Sequence, residues 1–255
     1  MTNVGNQTTR LMLGEGTIPP KRAAIFGASG GIGAALLEEL KGIGCECIYA
    51  GSRSGGVTSS NVTRFAFDLT DEASIAEAAR LMREEPPQWV IVASGVLTLE
   101  EGSGPERTIK RLNPEVMAKV FAINTIGPAL IAKHILPLMP RNEPFVFAAL
   151  SARVGSISDN GLGGWHSYRA SKAALNMLIK NFAIEVGRTH PHSVVVGLHP
   201  GTVDTDLSAP FQKGLAEGQL TGPAKAAGNL IRVLSHLKSE DSGEIFDFAG
   251  KEIRP

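Results

Sequence analysis

The sequence predicts an α/β domain in which a doubly wound, seven-stranded parallel sheet carries helices on both faces. Short apolar runs of the buried-strand type alternate along the chain with helical patterns. The 29 glycines and 15 prolines supply the many turns that such an alternation needs. The chain has 255 residues, 43% of them apolar, which is enough for one large core. Since no repeat or linker divides residues 21–255, we expect a single domain that follows a flexible N-terminal extension, residues 1–20.

The individual elements follow from their residue patterns. Asn113 and Pro114 have the residue types of a helix N-cap and first helical position. The apolar runs predict strands at 23–26, 46–50, 64–67, 89–93, 145–150, 193–198 and 244–248. The helical patterns predict helices at 34–40, 71–83, from 113 onward, 170–181 and 224–237.

The overall charge gives no sign of a polyanionic partner. Lys plus Arg and Asp plus Glu number 25 each, so we expect neither a nucleic-acid surface nor a basic membrane-binding face. No apolar run suggests a transmembrane segment, and residues 1–20 lack the pattern of a signal peptide. Cys45 and Cys47 alternate along a predicted strand and should face opposite sides of the sheet, so no disulfide is expected. These features favour a reducing, cytoplasmic setting.

A glycine-rich turn follows the first predicted strand and leads directly into a helix. Glycines in this position let the backbone approach a pyrophosphate, and the helix N-terminus favours its negative charge. The sequence therefore predicts a dinucleotide-binding Rossmann domain. The residues expected to contact the cofactor in this turn are Gly27, Ser29, Gly30, Gly31, Ile32 and Gly33.

The residues after the second strand bear on the choice of cofactor. An NAD-preferring domain places an acid there for the ribose hydroxyls, whereas this chain has Ser52 and Arg53. A guanidinium suits a 2′-phosphate, so NADP(H) is favoured over NAD(H); the alternative is an ordinary surface arginine.

The next two strands end in further candidate cofactor contacts. Asp68, followed by Leu69, could present a carboxylate to the adenine amine or could simply cap the helix over 71–83. After the fourth strand, the small residues Ser94 and Gly95 would let the cofactor lie against the backbone.

The long helix that begins at Asn113 contains a proline. Pro128 has no N–H, so the carbonyl of Asn124 loses its helical partner. A free carbonyl inside a helix needs another donor, which predicts an ordered water beside Asn124 at a kink. The alternative is a plain proline kink.

Tyr168 and Lys172 stand four residues apart in a helical pattern, so their side chains should leave the same face of the helix. An ammonium beside a phenol favours the phenolate, which would let Tyr168 exchange a proton near neutral pH. Taken alone, such a pair is usually a solvated helix face. Ser151 lies at the carboxyl end of the fifth strand, the edge where ligands bind in open α/β sheets. His166 is expected to be a pocket-wall or surface residue.

The ordered set of these motifs resembles the short-chain dehydrogenase/reductase family, and in particular its C-factor-like and sniffer-like carbonyl reductase branch. The resemblance runs from about Lys21 to the C-terminus. It rests on Gly27-xxx-Gly31-x-Gly33, Ser94-Gly95, Asn124, Ser151, Tyr168-xxx-Lys172 and Pro200-Gly201.

The resemblance implies hydride transfer between a nicotinamide and a carbonyl or alcohol substrate. It assigns Tyr168 as the general acid, Lys172 as the group that holds the nicotinamide ribose and lowers the tyrosine pKa, and Asn124 as the holder of a water. It also implies cofactor contacts from a segment after the sixth strand and a homodimer or homotetramer built on the long helices. The residues of that segment are Pro200, Gly201, Thr202, Val203 and Thr205.

Two positions depart from the family pattern. The usual Asn-Ala-Gly after the fourth strand is Ala93-Ser94-Gly95 here. The position three residues before Gly155, normally the catalytic serine, is Ala152. Ser151, one residue earlier, is the assigned carbonyl-orienting hydroxyl, with Ser156 or Ser167 as substitutes.

The leading functional hypothesis is an NADP(H)-dependent carbonyl reductase or alcohol dehydrogenase. The alternative is a dinucleotide-binding regulatory or signalling protein with weak or no turnover, suggested by Ala152. A sugar-nucleotide epimerase is a third option, for which the C-terminal region is short. The substrate would be set by residues 155–167 and by residues 207–221, which have the composition of a mobile lid.

Overall fold

The structure of the chain is a computed structural model, in which residues 19–99, 104–209, 212 and 218–255 are described. The expected N-terminal extension therefore lies outside the described residues, except for its last two. Seven of the fifteen residues in the segment expected to be a lid, 210, 211 and 213–217, lie outside them too.

A seven-stranded parallel sheet forms the centre of the fold, as the sequence predicts. Its spatial order is β3-β2-β1-β4-β5-β6-β9, and every neighbouring pair is parallel. The order reverses between β1 and β4, which is where open α/β sheets bind ligands. A separate small sheet pairs β7 with β8. The strands are β1 Arg22–Phe26, β2 Cys47–Ser52, β3 Val62–Ala66, β4 Trp89–Val92, β5 Phe145–Leu150, β6 Ser193–His199, β7 Thr202–Val203, β8 Leu220–Thr221 and β9 Ile245–Asp247.

Helices cover both faces of the sheet and bury two apolar cores. One core contains buried residues of α1 and α6, and the other contains buried residues of α2, α4 and α5. The strands are almost continuously apolar, which is typical of parallel strands that are buried on both faces. The helices are α1 Gly31–Gly42, α2 Glu72–Leu81, α3 Pro114–Phe121, α4 Gly127–Ile135, α5 His166–Gly187 and α6 Pro223–His236.

The two cysteines lie on opposite sides of the sheet, as expected. Cys45 precedes β2 and is buried in the core under α1 and α6. Cys47 packs against the other core, and both thiols are free.

The helix start at Asn113 is confirmed, since its side chain accepts hydrogen bonds from the N–H groups of Glu115 and Val116. The helical stretch Pro114–Leu138 is 25 residues long and is apolar enough, by length and composition alone, to cross a membrane. The sequence analysis predicts no segment of transmembrane length. It is weak evidence of a membrane, because a core helix passes the same test, and Val120, Ile131 and Ile135 are buried.

Candidate active site

The glycine-rich turn is held against the sheet and leaves the start of α1 open. The N–H groups of Gly27 and Ala28 both donate to the carbonyl of Gly51 in β2, at 2.9 and 2.8 Å. A Cβ atom on Gly33 would clash with the carbonyl oxygen of Gly27, so only glycine allows this close approach. The N-cap, Gly30, gives the helix no side-chain cap. The N-terminal N–H groups of α1 can therefore receive an anion such as a pyrophosphate.

The segment after β6 reaches the same turn. A Cβ atom on Gly31 would lie 2.5 Å from Cγ2 of Thr205, so this threonine already packs on the turn. Ser94, after β4, also lies against the turn, because a Cβ atom on Gly27 would clash with its hydroxyl oxygen. This hydroxyl donates to the carbonyl of Phe26 at 3.1 Å. The residues present fit a dinucleotide, because backbone donors and small side chains surround one helix N-terminus.

Arg53 lies beyond the end of β2 and is exposed. Hydrogen bonds from the hydroxyl and N–H of Thr70 hold the pKa of Asp68 below its usual value, and the charge of Arg53 adds to this effect. The helix-cap alternative for Asp68 is wrong, because Asp71 caps α2 through the N–H of Ala73. Leu69 points into the core and packs against Gly127.

The kink predicted at Asn124 takes the form of a π-helical turn, Ala122–Ile126, between α3 and α4. In this turn the N–H of Gly127 bonds the carbonyl of Ala122, five residues earlier. Such single π turns occur often at functional sites. The predicted water stays a prediction.

The side chain of Asn124 is fully buried and ties three elements together. Its Oδ1 accepts from the N–H of Val96 at 2.9 Å, and its Nδ2 donates to the carbonyl of Val96 at 2.8 Å. The same Nδ2 donates to the hydroxyl of Ser171 on α5 at 3.1 Å. That hydroxyl donates in turn to the carbonyl of Tyr168 at 2.8 Å. Asn124 thus fixes the loop after β4 relative to the helix that carries Tyr168.

Tyr168 and Lys172 share one face of α5, as predicted from their spacing. Nζ of Lys172 is 5.8 Å from the centroid of the Tyr168 ring and donates to the carbonyl of Leu150 at 2.7 Å. The lysine is therefore held between α5 and the end of β5.

Burial controls the protonation of both groups. It raises the pKa of Tyr168 to about 12 and lowers the pKa of Lys172 to about 8. Burial is the cause of the raised tyrosine pKa, and the lowering by Lys172 that the resemblance implies stays a prediction. The desolvation of the phenolate outweighs the attraction of an ammonium that lies over the ring face. At neutral pH Tyr168 holds its proton and Lys172 is charged, which is the state a proton donor requires.

These groups line one cavity of about 310 Å³ at the carboxyl ends of the central strands. Leu97, Ala152, Val154, Trp165 and Leu207 form much of its apolar wall. The sequence-predicted residues that line it are Ile32, Ser94, Gly95, Ser151, Tyr168, Lys172, Pro200, Gly201, Thr202, Val203 and Thr205.

The comparisons with known proteins agree with this geometry. Residues 21–216 match the family model described as short chain dehydrogenase. The chain belongs to the short-chain dehydrogenase/reductase family.

Individual relatives place the chain within this family of oxidoreductases. It is 30% identical over 227 residues to 1-hydroxy-2-glutathionyl-2-methyl-3-butene dehydrogenase of a Rhodococcus species, covering 86% of this chain and 92% of the relative. It is 36% identical over 138 residues to the C-signal protein of Myxococcus xanthus, covering 54% of this chain and 77% of the relative. The NADPH-bound carbonyl reductase from chicken fatty liver superposes with a TM-score of 0.78 at 25% identity, covering 92% and 94% of the two chains. The expected family and its C-factor-like branch are confirmed.

Ala152 stands at the position where the resemblance leads us to expect a serine, and the structure shows where its neighbours point. Ser151 and Ala152 both line the cavity beyond the end of β5. The hydroxyl of Ser151 donates to Oδ1 of Asn176 on α5 at 2.6 Å, and both residues are buried. The assignment of Ser151 as the carbonyl-orienting group stays a prediction.

Neither substitute serine reaches the cavity, so that part of the hypothesis is wrong. The hydroxyl of Ser167 donates to the carboxylate of Glu106, on the side of α5 that faces a neighbouring cavity. Ser156 is buried in a turn, where its oxygen accepts from the N–H of Asp159 at 3.1 Å.

Trp165 lines the cavity, and the sequence analysis did not identify it as a site residue. It precedes α5 with φ 51° and ψ 44°, the left-handed region, which costs a bulky residue about 1–3 kcal/mol. Its N–H donates to the carbonyl of Glu106, whose carboxylate also accepts from the N–H of Ser167. The one sequence signal was the Gly163-Gly164 pair before it.

A histidine and an arginine complete the wall on the β6 side. Burial and the charge of Arg153 lower the pKa of His199 to about 4, so this imidazole is neutral at neutral pH. The guanidinium of Arg153 pairs with Asp247 at 3.1 Å and with Asp159 at 3.4 Å. His166, the other histidine considered, is half-buried and is not a cavity-lining residue.

Proposed function

We propose that the protein is an NADP(H)-dependent reductase that converts a carbonyl substrate to an alcohol. The observation that carries this proposal is that Tyr168 and Lys172 line one cavity with Ile32 at the start of α1 and with residues at the ends of β4, β5 and β6. The NADPH-bound carbonyl reductase and the Rhodococcus dehydrogenase, both similar over most of the chain, support the same chemistry.

Each residue of the site has a defined task in this reaction. NADPH, when bound, supplies the hydride that adds to the carbonyl carbon. Tyr168 donates its phenolic proton to the carbonyl oxygen as that oxygen gains negative charge. The ammonium of Lys172 stabilises the phenolate left behind. Asn124 fixes the position of the loop after β4 relative to α5, the helix that carries Tyr168.

The test is to follow the loss of nicotinamide absorbance when the protein is mixed with NADPH and a panel of ketones, aldehydes and quinones. We expect turnover of at least one carbonyl class. Saturable NADPH binding without turnover of any carbonyl would favour the second candidate, a dinucleotide-binding signalling protein. Ala152 and the similarity to the C-signal protein are the observations that favour it.

Arg53 provides the prediction on cofactor choice. Arg53→Asp removes a cation that would pair with a 2′-phosphate and introduces a carboxylate that would accept from a ribose hydroxyl. We expect the Kd for NADPH to rise about tenfold or more and the Kd for NADH to stay within about twofold. Fluorescence titration with both nucleotides measures this, and equal losses for the two would contradict it. Arg64→Asp, a change at a half-buried arginine of β3, is the matched control.

We also propose a cytoplasmic homodimer or homotetramer built on α3, α4 and α5. Three large apolar side chains on these helices and the turn between them, Ile126, Met177 and Ile184, are 51%, 62% and 52% exposed. Covering such side chains stabilises an assembly. We expect light scattering at micromolar protein to give at least twice the chain mass of 26.9 kDa. Met177→Glu with Ile184→Glu should shift the mass towards one chain, and a monomeric unchanged protein would contradict the proposal.

A further inference from the structure

We propose that Trp165 is a specificity-determining residue that selects flat, conjugated carbonyl substrates, of which aryl ketones are the simplest class. This inference rests on the proposed reduction of carbonyls and adds the substrate class. Trp165 and Tyr168 line the same cavity, with their ring centroids 6.4 Å apart and their planes at 66°. The two rings form a corner, so a flat substrate lying on the indole would have its carbonyl beside the phenol.

The backbone conformation at position 165 does not require a tryptophan. Gly163, Gly164 and Trp165 follow one another with φ of 63°, 66° and 51°. Among the described residues Trp165 is the one non-glycine with positive φ. Glycine would adopt this conformation without strain, and asparagine with little. A bulky ring at such a position is explained by what the ring contacts.

The segment is anchored so that the ring is held in place. The N–H of Trp165 donates to the carbonyl of Glu106, and the carboxylate of Glu106 accepts from both the N–H and the hydroxyl of Ser167. These bonds fix the residues before and after the indole to the loop that follows β4. Preorganised aromatic walls of this kind bind planar ligands at low entropic cost.

The other walls of the cavity favour an uncharged substrate. Leu97, Val154 and Leu207 are apolar, and Ala152 adds only a methyl group. Of the two cations in the lining, the guanidinium of Arg153 is paired with two carboxylates and the ammonium of Lys172 donates to the carbonyl of Leu150. His199 is neutral at neutral pH. A flat apolar group attached to the carbonyl is the substituent that these walls fit.

A matched pair of ketones tests the proposal by turnover. Acetophenone and cyclohexyl methyl ketone carry the same acetyl group on a six-carbon ring, which is flat in the first and puckered in the second. We expect Trp165→Gly and Trp165→Asn, both compatible with the left-handed backbone, to lower the acetophenone-to-cyclohexyl ratio of kcat/KM about 5- to 10-fold. Differences in intrinsic reactivity cancel, because each variant is compared on the same two ketones.

Tryptophan fluorescence gives a second readout that does not need turnover. The chain has two tryptophans, and the other, Trp89, is buried in β4. The variant Trp89→Phe therefore leaves Trp165 as the sole indole. With NADP⁺ present, we expect acetophenone to quench its emission saturably and cyclohexyl methyl ketone to leave it nearly unchanged.

The outcomes separate this proposal from the proposed function. Leu162→Ala, which changes a residue of the same loop that is 93% exposed, is the control and should keep the wild-type ratio. An unchanged ratio in both folded Trp165 variants, judged by circular dichroism, would overturn the role of Trp165. If neither ketone is reduced, the proposed reduction fails, but saturable quenching by acetophenone alone still supports the role of Trp165. If acetophenone does not quench the emission, the role of Trp165 is overturned.

Discussion

Tyr168→Phe is expected to lower kcat for carbonyl reduction by at least 100-fold while NADPH binding stays within about twofold of the wild-type value. The change removes one oxygen, the only atom of the side chain that can give a proton to the substrate. General acid catalysis by a positioned side chain typically contributes 10²- to 10⁴-fold in rate. The ring itself stays, so the packing against Trp165 and Lys172 is retained.

The chain offers a closely matched control, because it has two tyrosines. Tyr49 lies in β2, is buried, and donates its hydroxyl to the carbonyl of Glu85 at 3.2 Å, away from the cavity. Tyr49→Phe should leave kcat unchanged. Equal activity of Tyr168→Phe and the wild type on every reduced carbonyl would remove Tyr168 from the reaction and favour the signalling function.

The fold, and the fact that the predicted site residues lie close together, could be predicted because both depend on backbone topology. Parallel strands end at one edge of a sheet, so residues that follow the strands meet there whatever their separation in sequence. This is why Ser94, Ser151 and Pro200, which are far apart in the chain, line one cavity. The glycine turn was equally predictable, since its clash with any Cβ at Gly33 is a local property.

What could not be predicted depends on which atoms face each other across elements. Helical spacing places Tyr168 and Lys172 on one face, but it does not say that the ammonium bonds the carbonyl of Leu150 and lies over the phenol ring. The burial that raises the pKa of Tyr168 could not be predicted from that spacing either. The link from Asn124 to Ser171 joins residues 47 positions apart, and no periodicity connects them.

The second large expected effect is a gain of activity in Ala152→Ser. Ala152 lines the cavity near Tyr168, so a hydroxyl there could donate to the carbonyl oxygen as it becomes negative. One such donor is worth about 10²- to 10³-fold in kcat where its placement is optimal. We expect a rise of about 10- to 100-fold in kcat, because the surroundings of a new hydroxyl are not fully adapted to it.

Ser151→Ala tests the competing assignment in the same assay. In this structure the Ser151 hydroxyl donates to Asn176 at 2.6 Å, which uses its one proton inside the protein. We therefore expect kcat to change less than about threefold. The free energy of unfolding should fall by about 1–3 kcal/mol in urea titrations, because Oδ1 of buried Asn176 loses its donor. A loss of about 100-fold in Ser151→Ala, with no gain in Ala152→Ser, would instead make Ser151 the carbonyl-orienting hydroxyl and would require its proton to turn from Asn176 towards the substrate.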